Sequence, residues 1–220
     1  VLSEKDESYA NSLDIGFNFN FNGTTYDKFG VSTNGWMQLG NGSTNITEAL
    51  YSNVSSNIPS AAFIAPLWDD LNMTSGGIYY KTDGTAPNRV LTVEWKLAKW
   101  NYDASGAVIS FQVKLYENDG KIEFHYKQES EAVYNGSASI CIATSSSNYF
   151  SVNNTFNSAS SSTFATDISS KPADNTLLSF TQGAMSYSSS YYVQVTSGIK
   201  FRWNTYQIIK LNVVTTGVAN

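Results

Sequence analysis

The stretch Val108–Tyr126, VISFQVKLYENDGKIEFHY, constrains this 220-residue chain more than any other. Ile109, Phe111, Val113 and Leu115 alternate with Ser110, Gln112, Lys114 and Tyr116, the period of two that buries one face of a strand. Ile122, Phe124 and Tyr126 then alternate with Lys121, Glu123 and His125. Between the runs, Asp119-Gly120 suits a type I′ turn because both residues tolerate positive φ. A two-residue loop there predicts Leu115 opposite Phe124, Val113 opposite Tyr126, Lys114 opposite His125 and Tyr116 opposite Glu123. Apolar then meets apolar, and a slip of one residue would mix the two faces. A chain organised around this hairpin is committed to antiparallel β-structure.

The flanking sequence repeats the pattern. Phe17, Phe19 and Phe21 share one face of a strand from Ile15, and Asn22-Gly23 turns it back. Tyr26–Thr33 and Met37–Leu39 follow, joined through Asn34-Gly35-Trp36. A three-residue loop pairs Val31 with Leu39 and Thr33 with Met37, leaving Trp36 at the loop or on the opposite face. Phe63–Leu71 opens as an apolar run buried on both sides and ends in a carboxylate pair, with Pro66 predicting an edge or a bulge. Gly77–Thr82 and Val90–Leu97 are strands, the second with Leu91, Val93, Trp95 and Leu97 facing one way. Ser137–Ala143, Leu177–Thr181, Tyr191–Val195, Ile199–Trp203 and Tyr206–Thr215 complete the set. Val1–Ser12 reads as a polar arm, Gly40–Ser60 as loop with a short helix near Thr47–Asn53, and Met185–Ser190 as a linker. Ser145–Ser170 is either a surface excursion or holds irregular strands. About a dozen strands without a substantial helix predict an all-β chain, a jelly-roll-like β-sandwich of two antiparallel sheets. Residues 1–183 form the sandwich module, and 184–220 a C-terminal β segment that completes it or is donated to a neighbour.

Composition excludes several classes. The net charge is −5, only 14% of residues are charged and the 13 Lys and Arg are scattered, which argues against nucleic acid. The longest apolar run, Ala61–Trp68, contains a proline, so no segment spans a membrane. The lone Cys141 leaves no intramolecular disulfide and reads as a small buried hydrophobe. Uncharged polar residues over an aromatic core suit an extracellular β protein, and a first residue of Val fits a processed or trimmed chain.

Catalytic chemistry is sparse. His125 is the only histidine and falls on the polar face beside Lys114, where it reads as a cross-strand surface residue in preference to the base of a Ser/His pair, and one His with one Cys excludes the usual zinc sets. Asp69 and Asp70 are adjacent, so on a strand they point apart and cannot flank one glycosidic bond. With Asn72 they offer the oxygen donors Ca²⁺ takes, supplemented by Asp83 or Asp119, or they cap their own turn. Trp100 and Tyr102 break the preceding alternation and read as loop residues, and with Trp36 they are the candidates for a ring platform that stacks on a sugar. The alternative is that these rings pack on their own domain, as Trp68, Trp95 and Trp203 are expected to do. Glycosylation sequons stand at Asn22, Asn41, Asn45, Asn53, Asn72, Asn135 and Asn153. The terminal strand places Ile209, Leu211 and Val213 on one face, suited to closing its own sandwich or to entering a neighbour's groove.

The order GFNFNFNGTTYDKFGVSTNGWMQLG, FIAPLWDDL, GGIYYKTDG, LTVEWKL, FQVKLYENDGKIEFHY and GSASICIATS resembles the nidogen-like (NIDO-like) extracellular modules of Bacteroidota-type bacterial surface proteins and animal adhesion proteins. The resemblance covers Ile15–Thr144 and extends as far as Thr181. It implies a secreted or cell-surface, non-catalytic β module that recognises an extracellular glycan or protein in adhesion or matrix, and it carries no shared catalytic residues to transfer. Cys141 stands where relatives often have glycine. A second expectation is the structural subunit of an extracellular filament, polymerising head to tail by strand donation. A third, less favoured, is a carbohydrate-active enzyme.

Overall fold

The structure, a computed structural model, describes residues 5–182 and the backbone of 191–196. In chain order the strands are β1 (Tyr9–Phe21), β2 (Thr24–Ser32), β3 (Trp36–Gly40), β4 (Phe63–Trp68), β5 (Leu71–Asn72), β6 (Gly77–Asp83) and β7 (Val90–Trp100). They continue with β8 (Ile109–Tyr116), β9 (Ile122–Gln128), β10 (Ser139–Ser145), β11 (Asn148–Val152), β12 (Ala159–Ser160), β13 (Leu177–Gln182) and β14 (Tyr191–Thr196). All pair antiparallel in two seven-stranded sheets, ordered β1-β2-β3-β4-β10-β11-β12 and β14-β13-β9-β8-β7-β5, with β6 also on β7. The chain is therefore an all-β sandwich, and its helical content among the described residues is one 3₁₀ turn at Ser55–Asn57 in place of the helix expected near Thr47–Asn53.

The inward faces follow the alternation. Ile15, Phe17, Phe19, Phe29, Val31, Met37 and Leu39 from one sheet meet Leu91, Val93, Trp95, Phe111, Val113 and Phe124 from the other in one continuous core. Trp95 stacks on Phe111 with centroids 5.2 Å apart. Each such side chain contributes ~2 kcal/mol by leaving water.

Two turns differ from expectation by the same amount. β8 and β9 pair Leu115 with Ile122, Val113 with Phe124 and Lys114 with Glu123, so the loop is Glu117–Gly120, with Gly120 alone in it at positive φ. β2 and β3 pair Val31 with Met37 and Phe29 with Leu39, around Thr33-Asn34-Gly35. A shift of two residues keeps every side chain on its own face, so the hydrophobic pattern does not distinguish the two registers.

Other features of the strands have local causes. β1 begins at Tyr9 rather than Ile15, with two irregularities in its pairing with β2, so the last four residues of the expected arm, Tyr9–Ser12, are strand. β4 lies inside its sheet, and Pro66 falls where the pairing with β10 shifts register between Ala65 and Trp68, a bulge rather than an edge. The Ser/Asn-rich stretch after β10 holds β11 and β12, which extend the first sheet. A bulge between Trp95 and Ala98 flips the parity of β7: Leu97 takes φ +56° and turns partly outward, and Ala98 and Trp100 take the buried positions. The strands expected at Ile199–Trp203 and Tyr206–Thr215, the linker Met185–Ser190, Trp203, and the assembly face of Ile209, Leu211 and Val213 lie outside the described residues.

A second, smaller core covers the outer face of the first sheet. Trp36, Phe63, Ala65, Trp68 and Cys141 point away from the main core and pack against Ile46 and Ile58 of the long β3–β4 connection, with Leu50 and Phe164 alongside. This explains why every residue of β4 is buried.

Candidate functional site

The chain passes from the first sheet to the second between β4 and β5 and returns between β9 and β10, and Asp69 ties these crossings together. It is buried, 6% exposed. Its Oδ2 accepts from Trp100 Nε1 at 2.8 Å and from the Ser137 backbone N–H at 2.8 Å. Its Oδ1 accepts from the Asp70 N–H at 2.9 Å and from Ser137 Oγ at 3.2 Å. Four donors occupy the roughly four lone-pair directions of a carboxylate, so Asp69 is spent on the fold.

Asn72 is likewise committed, its Oδ1 accepting from the Thr74 N–H at 2.9 Å and from Thr74 Oγ1 at 2.5 Å in an Asx turn. The expected cation set of Asp69, Asp70 and Asn72 therefore does not assemble. Asp83 pairs with Lys81, and Asp119 accepts from the Lys121 N–H in its own loop. Asp70 turns instead toward Asp6 and Glu7, and one oxygen of each lies within 4.8 Å of the others. Asn34, buried in the β2–β3 loop, donates from Nδ2 to the Glu7 carboxylate at 3.3 Å and to Ala49 O at 2.7 Å. Its Oδ1 accepts from the Leu71 N–H at 3.0 Å. Burial first, then the neighbouring carboxylates, raises the pKa of both Glu7 and Asp70, and a hydrogen bond joins the two side chains. Such a group can share a proton or supply oxygens to a hard cation. Asp6 and Glu7 carried no signal in a stretch read as a polar arm, because nothing local links them to a residue more than sixty positions away.

The ring platform is also corrected. Trp36 and Trp100 are buried, the first in the small core under the β3–β4 connection and the second in the main core through the β7 bulge. Only Tyr102, 54% exposed, offers its ring to solvent.

His125 faces outward, opposite Gln112 rather than Lys114, with its Nε2 3.0 Å from Glu123 Oε2. Glu123 also receives Tyr116 Oη at 2.6 Å and Lys121 Nζ at 2.8 Å. Burial pushes this carboxyl up, but the hydrogen bonds from His125, Lys121 and Tyr116 outweigh it and hold its pKa at about 2. Burial, then the bond to Glu123, pushes the Tyr116 phenol well up.

The sequon asparagines divide by environment. Asn22, Asn41, Asn45 and Asn135 are exposed and Asn153 is half-buried. Asn53 and Asn72 are buried, and Asn53 donates from Nδ2 to Ser137 O at 2.5 Å and Ser139 Oγ at 2.9 Å.

Among the described residues no helix is long and apolar enough to cross a membrane. Residues 1–182 match the family described as NIDO related. No curated protein and no solved structure matches the chain.

Proposed function

The chain belongs to the NIDO-related family, and from that membership we propose a non-catalytic β-sandwich module that acts outside the cell, in adhesion or matrix recognition, by binding a glycan or protein. The observation that carries this reading is one of extent. The matched stretch, 1–182, takes in β1 to β13 and so reaches both sheets of the sandwich, with β14 beyond it. The chemistry of the polar groups supports it: Asp69 is saturated by structural donors and His125 is held on Glu123, which suits a scaffold. Beads coated with the full chain, washed over surfaces of collagen, laminin and cell-wall polysaccharide, test the reading. Adhesion above bare beads on at least one surface is expected, and none on any surface would overturn it.

A second reading, the subunit of an extracellular filament, draws on the position of β14. It pairs with β13 at the edge of the second sheet, and the apolar alternation of Ile209, Leu211 and Val213 follows it in sequence. Deletion of residues 206–220 is the test. Filaments that disappear while the sandwich stays folded would support strand donation, and discrete particles from the full chain would sink it.

A further inference from the structure

The outer face of the second sheet carries a built polar row. Register pairs Tyr79 with Glu94, Glu94 with Gln112 and Gln112 with His125, and paired residues in a sheet project to the same side. The row crosses three strand spacings, about 14 Å from Tyr79 to His125. At its centre Glu94, Gln112 and His125, with Ser110 and Lys127, line a shallow cavity of about 170 Å³. That is smaller than the enclosed pockets that swallow a small molecule, and it suits one residue of a longer ligand lying across the sheet.

The groups in the row are fixed and yet not used up. Gln112 Nε2 donates to Glu94 Oε1 at 2.9 Å, which orients both side chains. Glu94 Oε2, Gln112 Oε1 and His125 Nδ1 have no protein partner among the described residues. The flanking charges pair within the face, Lys127 with Glu129 at 2.9 Å and Lys121 with Glu123 at 2.8 Å. A ligand here therefore meets directional donors and acceptors with one carboxylate free of a cation among the described residues, Glu94, and one ammonium at the Tyr79 end, Lys5, rather than a field of one sign, which disfavours a polyanion or a strongly basic peptide. Tyr79 ends the row with its ring 44% exposed and its hydroxyl end lying over Gly77, where a Cβ would come within 3.3 Å of it. An exposed ring in one row with a carboxylate, an amide and an imidazole is the set of groups that a neutral sugar chain engages through its C–H faces and its hydroxyls.

We infer that Tyr79, Glu94, Gln112 and His125 form a binding platform for a neutral oligosaccharide laid across the outer face of the second sheet. The inference rests on the reading of the chain as a recognition module and names the ligand class and surface of that module.

His125 is the only histidine, so its imidazole C–H signals in NMR report on the centre of the platform without ambiguity. The full chain is titrated with cello-, manno-, xylo- and N-acetylglucosamine oligosaccharides. At least one series is expected to move those signals saturably. Tyr79→Ala and the double variant Glu94→Ala, Gln112→Ala should each weaken binding about tenfold or more with unchanged melting temperature, and Tyr102→Ala should leave it alone. Binding that leaves the His125 signals fixed and the platform variants at full affinity would overturn the inference while preserving a glycan-binding module. No oligosaccharide binding, with beads still adhering to a protein surface, would also overturn it and leave the broader reading standing. Failure of both assays would remove both.

Discussion

Trp36 and Trp68 donate their indole N–H groups to one acceptor, the backbone carbonyl of Leu50, each at 2.9 Å. Phe63 packs against both, with centroids 5.2 and 5.0 Å away. The long β3–β4 connection is thus fastened as a lid on the first sheet, and two of the five tryptophans are consumed in holding it. This is why a tryptophan next to a turn is structural here.

Trp36→Ala is expected to cost about 3–5 kcal/mol through the cavity it leaves, and Trp36→Phe about 1 kcal/mol or somewhat more, for the lost hydrogen bond and ring volume. Trp68→Phe combined with Trp36→Phe should be more costly than the sum of the two, since each single variant leaves the Leu50 carbonyl one indole donor and only the double variant leaves it none. Guanidinium unfolding of the four proteins checks this. Strict additivity would argue against the shared acceptor.

Asp69→Ala removes the acceptor for Trp100 Nε1 and for Ser137 at once. The buried Trp100 Nε1 is left unpaired at ~1–3 kcal/mol and the exposed Ser137 is released to water, so a loss of about 2–3 kcal/mol is expected, with hydrogen exchange accelerating at Ser137 and at Asp70 before the rest of the sheet. A change confined to the Asp70 corner would contradict the tie between the two crossings.

Gly35 takes φ +76°, and a Cβ there would sit 1.8 Å from the Leu67 carbonyl oxygen. Gly35→Ala therefore meets backbone, which has little room to give, and should cost roughly 3 kcal/mol or more. Gly23, also at positive φ but with nothing within 4 Å, should lose only ~1 kcal/mol as alanine. Paired thermal melts separate the two.

Acid stability should carry the mark of Glu123. Its folded pKa of about 2 lies below its ordinary 4.5, so its contribution, ~3 kcal/mol by linkage, is complete above pH 4.5 and is lost as pH falls toward 2. Glu7 and Asp70 act in the opposite sense. Their pKa values are raised on folding, so their ionisation costs stability as pH rises past their ordinary values. Glu123→Gln should flatten the acid limb of the stability profile, and Asp70→Asn should stabilise the protein at pH 7. An acid limb unchanged in the first variant would contradict the assignment.

Glycan occupancy should follow burial. In folded material secreted from a eukaryotic host, peptide mapping should find glycan at members of the exposed set Asn22, Asn41, Asn45 and Asn135 and none at Asn53 or Asn72. A glycan on Asn53 would break its bonds to Ser137 and Ser139, so finding one there would count against the structure.

Side-chain parity made the sandwich readable from sequence: Phe17, Phe19, Val113 and Phe124 are inside because their alternation admits no other face. Loop length was not readable, because moving Val113 from Tyr126 to Phe124 preserves that alternation. Trp100 was misplaced because the bulge before Ala98 flips parity without a glycine or proline to announce it. Trp36 fell on the expected face, but its cover comes from residues in a loop with no periodicity of its own. The platform row was visible only as the polar half of a hairpin, since Tyr79 and Glu94 join Gln112 and His125 through pairings of separate strands.

Surface plasmon resonance of the full chain over immobilised matrix proteins and polysaccharides tests the central claim most directly, because one trace reports both binding and turnover. A recognition module predicts saturable, reversible association on at least one surface, with the signal returning to its starting baseline. A baseline that falls below its start as immobilised material is cleaved away, or no association on any surface, would contradict it.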